Sequence, residues 1–227
     1  MNKPLRLIIF DMDGTLVDSQ ASILGAMKGA FDQNNLPEPS PQEVLSIVGL
    51  SLDLAMVRLA PDLTAATHDK LVAAYKETYH SRSLRLGSAK LSPLYPGARA
   101  MLDQLAATPE NLLGVATGKS QRGLDALIAD HGLERMFITR QVADHHPSKP
   151  HPSMIETAMS EAGVERENTV MIGDTSFDMD MAQAAGVTGI GVSWGYHPVS
   201  ELGSAARIID TFAELPQALN TIWKEDA

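Results

Sequence analysis

The 227-residue sequence predicts an α/β fold: a doubly wound, mostly parallel, Rossmann-like sheet carrying a small inserted helical domain. Three observations predict it. Short apolar runs end on polar or glycine-containing turns, amphipathic helical patterns alternate with those runs, and between about residues 20 and 92 the alternation stops and only helical patterns remain. Alternating strands and helices require crossover connections between parallel strands, and the crossovers cover both faces of the sheet.

The first run, LRLIIF from Leu5 to Phe10, is rich in β-branched and large apolar residues and ends at Asp11, which reads as a buried strand. In the inserted segment Ile23, Ala26, Met27, Ala30 and Phe31 mark one amphipathic helix. Pro41 to Val48 and Leu52 to Leu59 mark two short ones, and Leu71, Ala74, Tyr75 and Thr78 a fourth. The chain returns at Leu94-Tyr95-Pro96-Gly97, so residues 1–19 and 93–227 are expected to form the core domain and residues 20–92 a helical cap. Its two connectors must flank the strand end that holds Asp11, where a small domain can close as a lid. Beyond it, strands are expected at Leu112–Thr117, Thr169–Gly173 and Gly189–Trp194, and weaker ones at Met136–Thr139 and Arg207–Ile209. Helices are expected at Pro96–Leu105, Arg122–His131, Pro152–Ala162 and Phe177–Ala185, the last three stopped by Gly132, Gly163 and Gly186.

Composition narrows the function. Eighteen basic against twenty-eight acidic side chains give a formal charge of −10 with no offsetting basic cluster, so nucleic acid is not an expected partner. An anionic ligand would need a local cation inside its site. The first apolar run is too short for a signal-peptide core or a membrane span, and no membrane partner is expected. Cysteine is absent, which excludes disulfides, thiolate metal sites and cysteine nucleophiles; a cytoplasmic enzyme is the default expectation.

Ligands of open parallel sheets bind outside the carboxyl ends of the strands. Asp11 and Asp13, Thr117, Lys149, and Asp174 with Asp178 all fall at or near such ends. Residues i and i+2 of a strand point the same way, so Asp11 and Asp13 face one reaction centre while Met12 faces the other side. One carboxylate can serve as nucleophile while the second protonates a leaving oxygen and later takes a proton from water. Carboxylates together with phosphate oxygens are the usual donors to Mg²⁺. The sequence ATGKS ends like a phosphate-binding P-loop, but the position requiring glycine is Leu113, so that reading is rejected, and Lys119 is expected to be a solvated loop charge in the first instance, with a substrate-facing cation as the alternative. His145, His146 and His151 lie in a proline-containing loop without helical metal-ligand spacing and read as solvated. Asp180 reads as a solvated helix-face charge, and Asp18 with Ser19 as the cap of the helix starting at Gln20.

In order, DMDGTLVDS, VATGKS, SKPHP and GDTSFDM resemble the four motifs of the haloacid dehalogenase-like hydrolase superfamily. KPHP and the later GYH are similar to its phosphoglycolate phosphatase-like members. The resemblance spans essentially the whole chain. It implies that Asp11 is the nucleophile, Asp13 the general acid and base, Thr117 a phosphate hydrogen-bond donor and Lys149 the balancing cation. It also implies a Mg²⁺ site made by Asp11, the Asp13 carbonyl and Asp174, with Asp178 either binding the ion directly or supporting its ligands, and Gly118 beside the phosphate. Gly49 and Ser51 resemble the cap loop that dips toward the substrate. The second aspartate, Asp13, favours a phosphoryl substrate over a carbon–halogen bond, and Lys28, Lys70 and Lys76 match no motif of the imine-forming phosphonate branch. The implied activity is Mg²⁺-dependent hydrolysis of a small phosphorylated metabolite. Alternatives are a phosphomutase with the same machinery or a non-catalytic binding protein. Short linkers, the lack of an evident base-stacking platform among Phe31, Tyr75 and Tyr79, and the cap cations Arg58, Lys76, Arg82 and Arg85 favour 2-phosphoglycolate over a nucleoside monophosphate.

Overall fold

The structure, a computed structural model, describes residues 4–223. Strand β1 (Arg6–Phe10) leads into five helices, α1 (Gln20–Gln33), α2 (Pro41–Leu45), α3 (Leu52–Leu59), α4 (Ala65–Leu86) and α5 (Ser88–Leu91). Then follow α6 (Ala98–Ala106), β2 (Asn111–Thr117), α7 (Gln121–Asp130), β3 (Thr139–Val142), α8 (Ser153–Ala162), β4 (Thr169–Gly173), α9 (Ser176–Ala185), β5 (Thr188–Val192), β6 (Arg207–Ile209) and α10 (Leu215–Ile222). The six strands form one parallel sheet in the order β3-β2-β1-β4-β5-β6. Strand order reverses at β1, between β2 and β4, and a doubly wound sheet opens its binding crevice at such a point.

Alternation along β1 feeds two cores. Ile8 and Phe10 pack with Met101, Leu102, Leu124, Leu127 and Leu219 from α6, α7 and α10, while Leu7 and Ile9 pack with Met154, Ile155, Met181 and Ala182 from α8 and α9. Met12 is buried in the first of these cores, away from its aspartate neighbours, as the i, i+2 rule requires. A third core is built by the inserted helices on Ile23, Met27, Ala30, Phe31, Met56 and Leu71, with Phe177 and Tyr196 of the sheet domain packed against it. The two connectors of the helical segment run side by side: Val17 bridges Leu94 in antiparallel fashion, the Asp18 N–H donates to the Pro93 carbonyl at 2.8 Å, and the Tyr95 N–H donates to the Leu16 carbonyl at 3.0 Å.

The differences from the sequence reading have local causes. The third strand lies at Thr139–Val142 and not at Met136–Thr139, because polar Arg140 and Gln141 mask it while Phe137 is a core residue of the preceding turn. Helix α4 extends to 22 residues, half of them exposed, beyond the short apolar stripe that marked it. Helix α10 has an apolar face but carries Pro216 in its first turn, where proline is compatible with a helix, and was not anticipated. Among the described residues no helix is long and apolar enough to cross a membrane.

Candidate active site

The carboxyl ends of β1, β2 and β4 bring Asp11, Asp13, Thr117, Asp174 and Asp178 together, all buried. Lys149, from the loop between β3 and α8, reaches into the same floor with its side chain fully buried. Its ammonium donates to Asp11 Oδ1 at 2.9 Å and to Asp178 Oδ1 at 2.6 Å. Burial alone would depress that ammonium's pKa, but the two carboxylates outweigh it and hold the value above that of ordinary lysine. Burial, assisted by the charges of Asp178 and Asp13 and opposed by Lys149, pushes Asp11 from 3.8 up to about 7. Asp174 is raised well above its usual range, first by burial and then by Asp178 and Asp11.

Backbone geometry fixes these side chains. Asp178 belongs to a capping box at the start of α9: its Oδ2 accepts from the Thr175 N–H and hydroxyl, and its own N–H donates to Thr175 Oγ1. Asp174 accepts from the Thr15 hydroxyl and from the Tyr196 N–H, both at 2.8 Å. Gly14, at φ +86°, leaves room for it; a Cβ there would stand 2.1 Å from Asp174 Oδ2.

One carboxylate oxygen from each of Asp11, Asp174 and Asp178 lies within 4.8 Å of the other two. Asp11 Oδ2 is buried without a hydrogen-bond partner, so one hard carboxylate oxygen of this cluster remains uncommitted. An all-oxygen, carboxylate-rich set of this kind suits Mg²⁺.

Asp13 has a different company, which the sequence reading missed. Lys119 donates to both of its oxygens, at 2.7 and 2.8 Å, and the Ser19 hydroxyl donates to Oδ1. The Lys119 side chain is only 7 % exposed, so the expectation of a solvated loop charge is corrected. Tyr79 of α4 provides the cover: its hydroxyl accepts from Lys119 at 3.2 Å and its ring lies 5.1 Å from the ammonium. Burial opposes the Lys119 charge, but Asp13 outweighs it and keeps the ammonium protonated. Ser19, expected as a helix cap, is spent on Asp13, while Asp18 accepts from the Gln20 N–H at 3.1 Å.

The helical segment reaches the site through the loop before α3. Gly118 is pressed against it so closely that a Cβ would stand 2.7 Å from the carbonyl oxygens of both Gly49 and Leu50. The Ser51 N–H donates to Ser148 Oγ at 2.8 Å. Gly49, Ser51, Thr117 and Gly118 therefore line one cavity with Asp11 and Asp13, about 570 Å³ in volume, between the helical segment and the sheet. Of the histidines, His145 and His151 are exposed, whereas His146 is half-buried and bridges Gln141 Oε1 and Ser153 Oγ at 2.8 Å each; they form no metal cluster. Asp180 is exposed and accepts from the Ser204 hydroxyl at 2.9 Å.

The geometry has counterparts in known proteins. A family model described as haloacid dehalogenase-like hydrolase matches residues 8–192. A protein named probable phosphatase IndB from Dickeya dadantii is 34% identical over 96% of this chain and 95% of its own length. The phosphoglycolate phosphatase of Rhodospirillum rubrum is 31% identical over 92% of this chain and 89% of its own. The crystal structure of a hydrolase from Pseudomonas syringae superposes with a TM-score of 0.82 at 24% identity, covering 96% of this chain and 99% of that one. The fold, the acidic cluster and these likenesses together place the chain in the haloacid dehalogenase-like hydrolase family, as a phosphatase of its phosphoglycolate phosphatase-like branch.

Proposed function

We propose that the protein hydrolyses a phosphate monoester of a small metabolite through an aspartyl-phosphate intermediate on Asp11. The observation that carries this reading is the pairing of carboxylates by different partners: Asp11 is bound to a fully buried lysine on one oxygen and uncommitted on the other, while Asp13 is gripped by Lys119 and Ser19. Asp11 Oδ attacks phosphorus and the bond to the leaving oxygen breaks, with Asp13 giving that oxygen a proton. The ammonium of Lys119 stabilises the carboxylate left behind. Asp13 then takes a proton from water, the resulting hydroxide oxygen bonds to phosphorus, and the Asp11–phosphorus bond breaks to release phosphate. Lys149 neutralises charge that Asp11 and the transferring group would otherwise share, and Thr117 donates to a phosphoryl oxygen. Asp11, Asp174 and Asp178, with the Asp13 carbonyl, would hold Mg²⁺. When bound, the ion supplies Lewis-acid stabilisation of the phosphoryl oxygens. Residues 20–92 act as the cap that excludes water during transfer.

The names of several relatives make 2-phosphoglycolate the first natural ester to assay. The test of the mechanism itself is release of phosphate from p-nitrophenyl phosphate with Mg²⁺, coupled to acid-quench trapping of a phosphorylated protein. Turnover and an acid-stable, base-labile phosphoenzyme are expected. Both should vanish in Asp11→Asn, and full-rate hydrolysis by that folded variant would refute the assignment. A phosphomutase would instead return the phosphoryl group to a second metabolite with no phosphate released, so the same assay separates the two.

A further inference from the structure

We infer that the leaving group of the physiological ester carries a ring-sized, largely apolar body and not a two-carbon acid; this rests on the phosphatase reading and names its substrate class. The cavity beyond Asp11 and Asp13 measures about 570 Å³, within the range of pockets that enclose drug-sized molecules. An ester as small as 2-phosphoglycolate would leave most of that volume, and the apolar surface around it, without contact.

The walls agree with the volume. Ile23, Met27, Ile47, Val48, Leu50 and Tyr75 supply an apolar surface from the helical segment. Tyr75 stacks on Tyr79 with centroids 6.1 Å apart and an interplanar angle of 22°, so the cap does present an aromatic platform, contrary to the expectation from sequence. Spacing of i, i+4 on α4 is what brings the two rings together.

The charges argue the same way. Of the four cap cations expected to meet a substrate carboxylate, only Lys76 lines this cavity. Arg58 lies over the Phe177 ring at 5.4 Å in a separate cavity, and Arg82 packs over Gly25 on α1. Lys119, the one nearly buried cation in the wall, is already committed to Asp13. Lys76 and Arg122 are exposed lining residues, Arg122 hydrogen-bonded to His80, and the cavity is also lined by the exposed carboxylates of Asp53 and Asp144. A leaving-group carboxylate would therefore find no uncommitted buried cation in the wall, since Lys119 is held by Asp13, and would lose its hydration largely uncompensated.

The experiment compares kcat/KM for benzyl phosphate and 2-phosphoglycolate with Mg²⁺, using p-nitrophenyl phosphate as a general reporter. Both test esters release primary alcohols, so the ratio reads the chamber and not leaving-group acidity. Benzyl phosphate should be preferred at least tenfold. Met27→Trp, which fills the chamber, should cut that preference at least tenfold; Ile23→Trp is the parallel variant should the first not fold. A ratio at or below one in the wild type, or a preference unmoved by either folded variant, overturns the inference. If p-nitrophenyl phosphate is still cleaved in that event, the phosphatase reading stands and only the substrate class falls; if none of the three esters is cleaved, the phosphatase reading itself falls.

Discussion

Lys149 and Lys119 stand on loops that follow neighbouring strands, β3 and β2, and each grips a carboxylate at the end of β1, yet their surroundings differ. Lys149 is fully buried and binds Asp11 after β1 and Asp178 at the start of α9, both residues of the sheet domain. Lys119 binds one aspartate and is sealed from solvent by Tyr79, which arrives from the helical segment. The first pair is made entirely by side chains of the sheet domain; the second includes a side chain of the helical segment. In this arrangement the proposed nucleophile is held by the sheet domain's own residues, whereas the proposed acid and base is surrounded by both the sheet domain and the helical segment.

That contrast can be broken by substitution. Lys149→Ala leaves Asp11 and Asp178 as neighbouring buried carboxylates without their cation, and removal of one partner of such a buried pair costs about 3–5 kcal/mol. Chemical denaturation should register that loss, together with turnover near background. Lys149→Arg should recover stability more than rate, since a planar guanidinium does not place its charge where the compact ammonium does.

Lys119→Met should act on chemistry more than on folding. We expect kcat to fall on the order of 10²-fold, the usual scale for disturbing a general acid–base group, with phosphoenzyme accumulating under acid quench because the second proton transfer is also slowed. A kcat equal to wild type would show that Asp13 works without its lysine.

Proton linkage sharpens the comparison on the Lys149 side. Unfolded Asp11 loses its proton near 3.8 and folded Asp11 near 7, so the metal-free fold is favoured at the acid end and loses stability as pH rises through that window. Cation binding requires the carboxylate form. Adding Mg²⁺ should therefore raise Tm more at pH 8 than at pH 5.5, and an equal increment at both would contradict the assignment of Asp11 to the metal. Smallest of all should be Tyr79→Phe, which removes one hydrogen bond to Lys119 while keeping the ring: about 0.5–1.5 kcal/mol in stability and less than a tenfold change in kcat/KM.

The sequence made the Lys149 half of the site legible and left the Lys119 half hidden, for a physical reason. Asp11, Asp13, Thr117 and Asp174 follow apolar runs whose ends mark the mouth of a parallel sheet, so position in the chain already gave position in the fold. Strand β4 was bounded correctly at Thr169–Gly173 by the same signal. Lys119 sits in a glycine-containing turn, where a charge is ordinarily solvated, and its burial comes from a tyrosine 40 residues away on a helix of another element. No local pattern encodes that meeting. The aromatic pair on α4 was different: Tyr75 and Tyr79 are four residues apart, so their stacking was available from helical periodicity, and what could not be read was that the pair faces a cavity. Strand β3 was misplaced because Gln141 and Thr139 share Glu161 with each other through hydrogen bonds, a polar solution to burial that hydropathy does not detect.

The bridge between Val17 and Leu94 has a consequence for how such a chain can change. Paired strands stand about 5 Å apart, so the core surrenders the chain and receives it back at almost the same point. To the sheet, everything between is one hairpin turn, and the entropy of closing a loop rises only logarithmically with its length. The sheet's stability is thereby nearly indifferent to what hangs from the turn. A lineage can lengthen, shorten or wholly replace that appendage, revising which alcohols are admitted, without retuning the acids that do the chemistry.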